Sequence, residues 1–126
     1  MSRKVLIVED QPELRALLRM TLEDEAFELV EAADAEAAWA EVQQQGPDIV
    51  LLDIMMPGAF DGLELCRRIK ADARLQRCKV VLVSARGHRH DLEIGRQVGA
   101  DDYLIKPFSP QRLLEVMHGL LSVSAT

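Results

Sequence analysis

Short apolar runs recur along the chain and predict strands. Residues 5–8 (VLIV), 49–52 (IVLL), 80–83 (VVLV) and 103–105 (YLI) are almost entirely apolar and mostly branched aliphatic. Runs without polar alternation are typical of parallel strands that helices cover on both faces. Residues 27–30 (FELV) alternate weakly and predict a strand at the sheet edge. The pattern therefore predicts five strands.

Each interval after a strand carries apolar positions at helical spacing, which predicts a helix. The first of these patterns places Leu14, Leu17, Leu18 and Leu22 together. Residues typical of helix starts precede the five patterns: Pro12, Asp34, Asp61 or Gly62, Asp91 and Ser109. Five helices are therefore expected to alternate with the five strands.

This alternation is typical of an α/β fold with a parallel sheet between two layers of helices. Right-handed crossovers restrict the topologies that remain. We predict a doubly wound, five-stranded parallel sheet of the flavodoxin-like order 2-1-3-4-5. The chain of 126 residues is expected to form one domain, residues 1–122, followed by a short polar tail at 123–126.

The charge balance narrows the range of partners. The formal net charge is −6, whereas binding to a nucleic-acid backbone depends on Lys and Arg that neutralise phosphates. We therefore expect no direct nucleic-acid binding. No apolar stretch approaches the roughly 20 residues that span a bilayer, and the N-terminus does not resemble a signal peptide. We expect a cytoplasmic protein without membrane contact. The basic string within residues 67–79 is interpreted as a solvated helix face, with a docking patch as the alternative.

Several other polar groups predict no site of their own. Cys66 and Cys78 have the spacing of neither a zinc pair nor a redox pair, so we expect small reduced thiols. His88 and His90 lack a third metal ligand nearby in the sequence. The acidic pair at 101–102 precedes the last strand and should lie at the opposite end of the sheet in a solvated or capping role.

Polar side chains follow the four inner strands at their carboxyl ends. Glu9 and Asp10 follow the first strand, Asp53 the third, Ser84 the fourth and Lys106 the fifth. In an open parallel sheet, ligand sites lie beyond the carboxyl ends of the strands. We therefore expect these five side chains to converge at one rim, although each alone could be a turn or cap residue.

Three carboxylates at one rim require a compensating charge. Two carboxylates about 4 Å apart repel by roughly 4 kcal/mol at an effective dielectric of about 20, and one lysine cannot balance three of them. Mg²⁺ prefers oxygen ligands and often bridges to a phosphoryl group. A site with Mg²⁺ beside Asp53 and Lys106 is suited to phosphoryl uptake, with Asp53 as the nucleophile. Lys106 and the Ser84 hydroxyl would contact the transferring oxygens.

The first turn argues against nucleotide cofactors. A turn that cradles phosphate is rich in glycine and presents backbone N–H groups. Here the turn is Glu9-Asp10-Gln11-Pro12, with two carboxylates and a proline that lacks an N–H. Flavin or dinucleotide binding in the usual mode is therefore not expected.

Five segments together resemble the receiver domain of two-component response regulators. They lie between about Lys4 and Leu121 and read VLIVEDQPELR, PDIVLLDIMMPG, DGLELCRRIK, VVLVSARG and GADDYLIKPF. The resemblance implies that Glu9 and Asp10 hold Mg²⁺ (or Mn²⁺). It also implies that Asp53 is the phosphoacceptor and a metal ligand, with the backbone carbonyl of Met55 as a further ligand.

The resemblance also implies a conformational switch. Ser84 would be the switch hydroxyl and Lys106 the lysine that contacts the phosphoryl group. Tyr103 would be the aromatic switch residue, filling space that Ser84 leaves when it moves towards the phosphoryl group. The peptide bond between Lys106 and Pro107 would be cis, which is uncommon in folded proteins.

The implied phosphodonor is a histidine kinase or a histidine phosphotransfer protein. Phosphorylation of Asp53 would add a charge of about −1.5 to −2 and remodel the face formed by the fourth helix, fifth strand and fifth helix. That face includes Arg89, Leu92, Arg96 and Tyr103, and it would bind a downstream output protein or domain. The chain would then be a phosphoacceptor with its own autodephosphorylation, and not an enzyme with other substrates.

One feature departs from the family pattern. Between the PG at 57–58 and the DG at 61–62, Ala59-Phe60 stands where the family usually has one residue. Loops tolerate such insertions, and this one lies beyond the metal-binding stretch, so we expect no effect. An altered fit of the kinase is the alternative.

Two other functions fit parts of the pattern. A haloacid-dehalogenase-like phosphatase also uses an aspartate after an apolar strand, but it needs a second aspartate two residues later, where this sequence has Met55. A pseudo-receiver that acts only as a scaffold would normally lack one of the acidic pair, Asp53 or Lys106. All of them are present, which favours a working receiver.

Overall fold

The computed structural model describes residues 3–56 and 58–125. Five parallel strands alternate with five helices, as the sequence predicts. The strands are β1 (Arg3–Val8), β2 (Phe27–Ala32), β3 (Ile49–Asp53), β4 (Lys79–Ser84) and β5 (Asp102–Ile105). The helices are α1 (Pro12–Glu23), α2 (Ala35–Gln45), α3 (Gly62–Ala71), α4 (Arg89–Gln97) and α5 (Pro110–Ala125). The strand order is β2-β1-β3-β4-β5, which confirms the predicted topology.

The inner strands are buried on both faces, as their unbroken apolar runs predict. On one face, alternate strand residues such as Leu6, Val50 and Leu82 pack against α2 and α3. The intervening residues, such as Ile7 and Leu51, pack on the other face against α1 and α5. The sheet is therefore the middle of three layers, with a hydrophobic core on each side.

Predicted capping residues begin three of the helices. The side-chain oxygens of Asp34, Asp61 and Ser109 accept hydrogen bonds from backbone N–H groups in the first turns of α2, α3 and α5. Such bonds satisfy N–H groups that have no partner within the helix. In contrast, α4 begins at Arg89, two residues before the predicted start. Its first turn has no side-chain cap from His88, so the sequence carries no start signal there.

Two predicted features differ in detail. Leu17 is 53% exposed. The buried stripe of α1 is centred on Leu18 and Leu22, and Leu17 lies at the edge of that stripe. Residues 123–125, predicted to belong to a polar tail, continue α5 to Ala125. Residue 126 lies outside the described residues. None of the helices in the described ranges is both long and apolar enough to cross a bilayer.

The basic string is largely engaged in local ion pairs. Arg67 and Arg68 both pair with Glu64, and Arg74 pairs with Asp72. Pairing within the helical surface agrees with a solvated face.

Asp101 has a stronger structural role than the predicted solvated or capping one. Its Oδ2 accepts hydrogen bonds from the N–H of Val80 at 2.8 Å and from Lys70 Nζ at 2.5 Å. The carboxylate therefore connects α3 to the beginning of β4.

Candidate functional site

The register of the sheet brings the predicted side chains to one rim. The last paired positions of the inner strands are Val8 with Leu52, Asp53 with Val83, and Ser84 with Ile105. Glu9 and Lys106 each come one residue after their strand ends. Four residues that are far apart in sequence, Glu9, Asp53, Ser84 and Lys106, therefore lie at the same edge of the sheet.

Lys106 lies between two buried carboxylates. Its Nζ is 3.2 Å from Asp53 Oδ2 and 3.3 Å from Glu9 Oε1. Glu9 is 1% exposed and Asp53 5% exposed, so both carboxylates have lost most of their water. The peptide bond that follows, between Lys106 and Pro107, is cis, the geometry that the resemblance implies.

Backbone donors orient the other oxygens of these carboxylates. The N–H of Met55 donates to Asp53 Oδ1 at 3.0 Å, and the N–H of Gln11 donates to Glu9 Oε2 at 3.1 Å. Each carboxylate thus has one oxygen on the backbone and one on the lysine. Both side chains are held in fixed orientations at the rim.

Three carboxylates form a group with the spacing of a metal site. Glu9, Asp10 and Asp53 each offer an oxygen, and these oxygens lie within 4.8 Å of one another. Lys106 supplies one positive charge, so two carboxylates remain unbalanced when all three are ionised. A divalent cation would supply the two missing charges, and an all-oxygen donor set is the type that Mg²⁺ prefers. The residues present therefore fit the metal.

The surroundings of Glu9 oppose the ionisation of its carboxyl group. Its pKa is raised from the ordinary 4.5 to about 7, chiefly by burial; the neighbouring Asp53 also raises the pKa, whereas the hydrogen bond from Gln11 and the charge of Lys106 lower it. A carboxyl group removed from water resists ionisation unless an opposite charge is close. The single ammonium group of Lys106 does not offset the effect of burial on Glu9, whose pKa stays raised.

Gly62 is a site residue that the sequence pattern does not reveal. A Cβ at Gly62 would lie 2.3 Å from the carbonyl oxygen of Asp53 and 2.8 Å from the Cα of Ile54. The N–H of Gly62 also donates to the carbonyl of Ile54 at 3.2 Å. The first residue of α3 must therefore be a glycine for the helix to lie this close to the end of β3. The DG pair at 61–62 was the available signal, but it reads equally well as an ordinary helix start.

Ser84 and Tyr103 are joined through the backbone of Arg86. The N–H of Arg86 donates to Ser84 Oγ at 3.1 Å, and Tyr103 Oη donates to the carbonyl of Arg86 at 2.6 Å. Burial raises the pKa of the Tyr103 phenol. Gly95 on α4 leaves room for the ring, because a Cβ there would lie 3.1 Å from Tyr103 Cδ2.

Residues 5–118 match the response regulator receiver domain. The chain belongs to the response regulator receiver family. This receiver is 40% identical over 114 residues to the phosphate regulon transcriptional regulatory protein PhoB of Klebsiella pneumoniae, covering 90% of this chain and 49% of that protein. It is also 40% identical over 110 residues to the response regulator GtcR of Aneurinibacillus migulanus, covering 87% and 44%. The receiver spans about half the length of these curated relatives.

Solved receiver structures share the fold. The chemotaxis protein CheY4 of Vibrio cholerae superposes with a TM-score of 0.88 at 28% identity, covering 95% of this chain and 99% of that one. A response regulator receiver domain protein of Methanospirillum hungatei gives a TM-score of 0.87 at 26% identity, covering 97% and 96%. Receivers of this family are signalling regulators of two-component systems, controlled by phosphorylation and typically dependent on Mg²⁺.

Proposed function

We propose that this receiver accepts a phosphoryl group on Asp53 from a histidine kinase or a histidine phosphotransfer protein. The observation that carries the proposal is the buried group at the rim, in which Lys106 contacts both Asp53 and Glu9 and Asp10 completes a cluster of three carboxylates. Neither a turn nor a helix cap requires this arrangement.

In the proposed transfer, a carboxylate oxygen of Asp53 attacks the phosphorus of the donor phosphohistidine. The O–P bond forms as the P–N bond breaks, and the imidazole that leaves takes up a proton from solvent. Lys106, already 3.2 Å from Asp53, neutralises charge on the transferring oxygens. Bound to Glu9, Asp10, Asp53 and the Met55 carbonyl, Mg²⁺ (or Mn²⁺) would supply further charge neutralisation.

The proposed switch begins at Ser84. Its Oγ accepts a hydrogen bond from Arg86 N–H, and its own hydroxyl proton would be donated to the phosphoryl group. Movement of Ser84 would disturb the Arg86 backbone, to which the Tyr103 hydroxyl is also bonded. This shared attachment supports a coupling between the two side chains.

The signal would be read on the face formed by α4, β5 and α5. A groove of about 300 Å³ lies between α4 and β5 and is lined by Leu92, Arg96, Tyr103 and Ile105, among others. Tyr103 reaches both this groove and the Arg86 backbone, so its position would change the surface that an output partner meets. Arg89 lies on the same helix.

Uptake of phosphate from acetyl phosphate tests the proposal. Wild type is expected to become labelled in the presence of Mg²⁺ and to remain unlabelled with EDTA, whereas Asp53→Asn remains unlabelled under both conditions. Asp48→Asn is the matched control, because Asp48 lies just before the opposite end of the same strand. Labelling of Asp53→Asn at the wild-type level would refute the proposal, and wild type that takes up no label would favour the scaffold alternative.

A further inference from the structure

The loop between β3 and α3 contains the extra residue that the family pattern does not explain. It begins with Ile54 and Met55 directly after Asp53, and it includes Ala59-Phe60 before Asp61 begins the helix. The proposed metal ligand, the carbonyl of Met55, is part of this loop. The insertion therefore lies in the same loop as this proposed ligand.

A side chain from α2 holds the loop at the insertion. The N–H of Ala59 donates a hydrogen bond to Glu36 Oε1 at 3.2 Å, although the two residues are far apart in sequence. Glu36 lies in the first turn of α2. Gly58 has a φ of +127°, which glycine adopts without strain, and a Cβ at this position would lie 3.8 Å from the same carboxylate oxygen. The backbone at 58 and 59 thus folds over the Glu36 carboxylate.

The next residue of the insertion is held by packing. The ring of Phe60 packs against the core beneath α2 and α3, and the guanidinium carbon of Arg68 lies 3.9 Å from the ring centroid. Arg68 is itself positioned by a hydrogen bond from its Nε to Glu64 at 3.1 Å. A cation above an aromatic face is attractive. The lengthened loop is therefore fixed at two successive residues.

The contact made by Glu36 is specific to the loop. Among residues 3–56 and 58–125, no Lys or Arg forms an ion pair with the Glu36 carboxylate, and its hydrogen bond goes to Ala59. A longer loop without this bond would sample more conformations, and metal binding would then have to order it. Ordering before binding increases affinity.

We propose that Glu36 is a positioning residue for the metal site. Its carboxylate holds the lengthened loop through Ala59 and thereby keeps the Met55 carbonyl in place for Mg²⁺. The inference rests on the proposed function, since it requires Mg²⁺ at the acidic cluster. It assigns a role to the insertion, for which the sequence predicted no effect.

Titration of Mg²⁺ into wild type, Glu36→Ala and Glu36→Gln, followed by calorimetry, tests this inference. Glu36→Ala is expected to bind Mg²⁺ about threefold to tenfold more weakly, the range for the loss of an ordinary, solvent-exposed hydrogen bond. Glu36→Gln keeps an acceptor oxygen but removes the charge, and it should bind within about twofold of wild type. Thermal unfolding without metal should be nearly the same for all three proteins, and the Ala59 amide should exchange faster with solvent in Glu36→Ala.

The two variants separate hydrogen bonding from charge. If Glu36→Gln binds as weakly as Glu36→Ala, Glu36 acts only through its negative charge and the inference is wrong. Wild-type affinity in Glu36→Ala would also overturn it while leaving the proposed function intact. A wild-type protein that binds no Mg²⁺ would contradict both.

Discussion

At the residue scale, Asp53 is held from three sides. Met55 N–H and Lys106 Nζ each contact one carboxylate oxygen, and Gly62 lies against the backbone carbonyl. The side-chain contacts set the orientation of the carboxylate, whereas the glycine sets the position of the strand end. A change at Gly62 should therefore disturb the site without altering any polar group.

Gly62→Ala is expected to destabilise the fold by about 1 to 3 kcal/mol, the usual cost of overpacking, and to reduce Asp53 phosphorylation, because the new methyl group would overlap the Asp53 backbone. Gly119→Ala is the control. Gly119 lies in α5 with no atom near the added Cβ, and this change should stabilise the helix by about 0.5 to 1 kcal/mol. Chemical denaturation and phosphate uptake measure both effects. Equal stability of the two variants would show that the close approach at Gly62 is unimportant.

Glu9 is expected to make the site sensitive to pH. Its pKa in the folded protein is raised to about 7, mainly by burial, from the ordinary 4.5. Because the folded pKa lies above the unfolded one, the contribution of Glu9 to stability is fully present below about pH 4.5 and is lost as the pH rises through about 7. In the proposed site Mg²⁺ would bind the ionised carboxylate, so Mg²⁺ should reverse that loss.

The increase in Tm caused by Mg²⁺ is therefore expected to be larger at about pH 8 than at about pH 6. Thermal unfolding with Mg²⁺ and with EDTA at both pH values measures it. Glu9→Gln should flatten the dependence, since it removes the titrating group. An Mg²⁺ effect in wild type that is the same at both pH values would contradict this account of Glu9.

At the scale of elements, Asp101 joins α3 to β4. It accepts a hydrogen bond from Val80 N–H at the beginning of a buried strand, and Lys70 contacts the same oxygen.

Asp101→Ala would leave the Val80 N–H without its acceptor and should cost about 1 to 3 kcal/mol in the free energy of unfolding. Glu115→Ala removes an exposed carboxylate 3.7 Å from Arg112 and should change stability by less than about 0.5 kcal/mol. Urea denaturation measures the free energy of unfolding of both variants. Similar losses of stability would contradict the role of Asp101 in joining α3 to β4.

The elements themselves could be predicted wherever the chain carries a local signal. The apolar runs identify the inner strands, and Asp34, Asp61 and Ser109 mark helix starts. The start of α4 has no such signal, because His88 provides no side-chain cap. The roles of Glu36 and Asp101 depend on backbone N–H groups that lie in other elements. No local pattern contains that information.

At the scale of the whole molecule, both cysteines lie in the core on one side of the sheet. Burial raises the pKa of Cys66 to about 11 and that of Cys78 to about 12. The reactive thiolate is therefore rare at neutral pH in the folded state. A thiol reagent at about pH 8 should label the native protein very slowly and both cysteines rapidly after unfolding. Rapid labelling of the native protein would show that this core opens readily.

The fold also explains why much of the candidate site could be predicted. In a parallel sheet, residues after successive strands meet at one rim, so Glu9, Asp53 and Lys106 could be grouped from sequence alone. The predicted metal-binding and switch roles remain proposals. The insertion at Ala59-Phe60 was predicted to have no effect. The contacts that anchor it reach from the loop to α2 and α3, and the sequence alone does not show them.

Asp53 is the residue that we propose carries the phosphoryl group. Borohydride reduces an aspartyl phosphate to homoserine, which marks the modified residue permanently. After treatment with acetyl phosphate and Mg²⁺, then borohydride and proteolysis, mass spectrometry should find homoserine at position 53 and at no other aspartate. Homoserine at another position, or none in protein that has bound Mg²⁺, would show that Asp53 is not the phosphoacceptor.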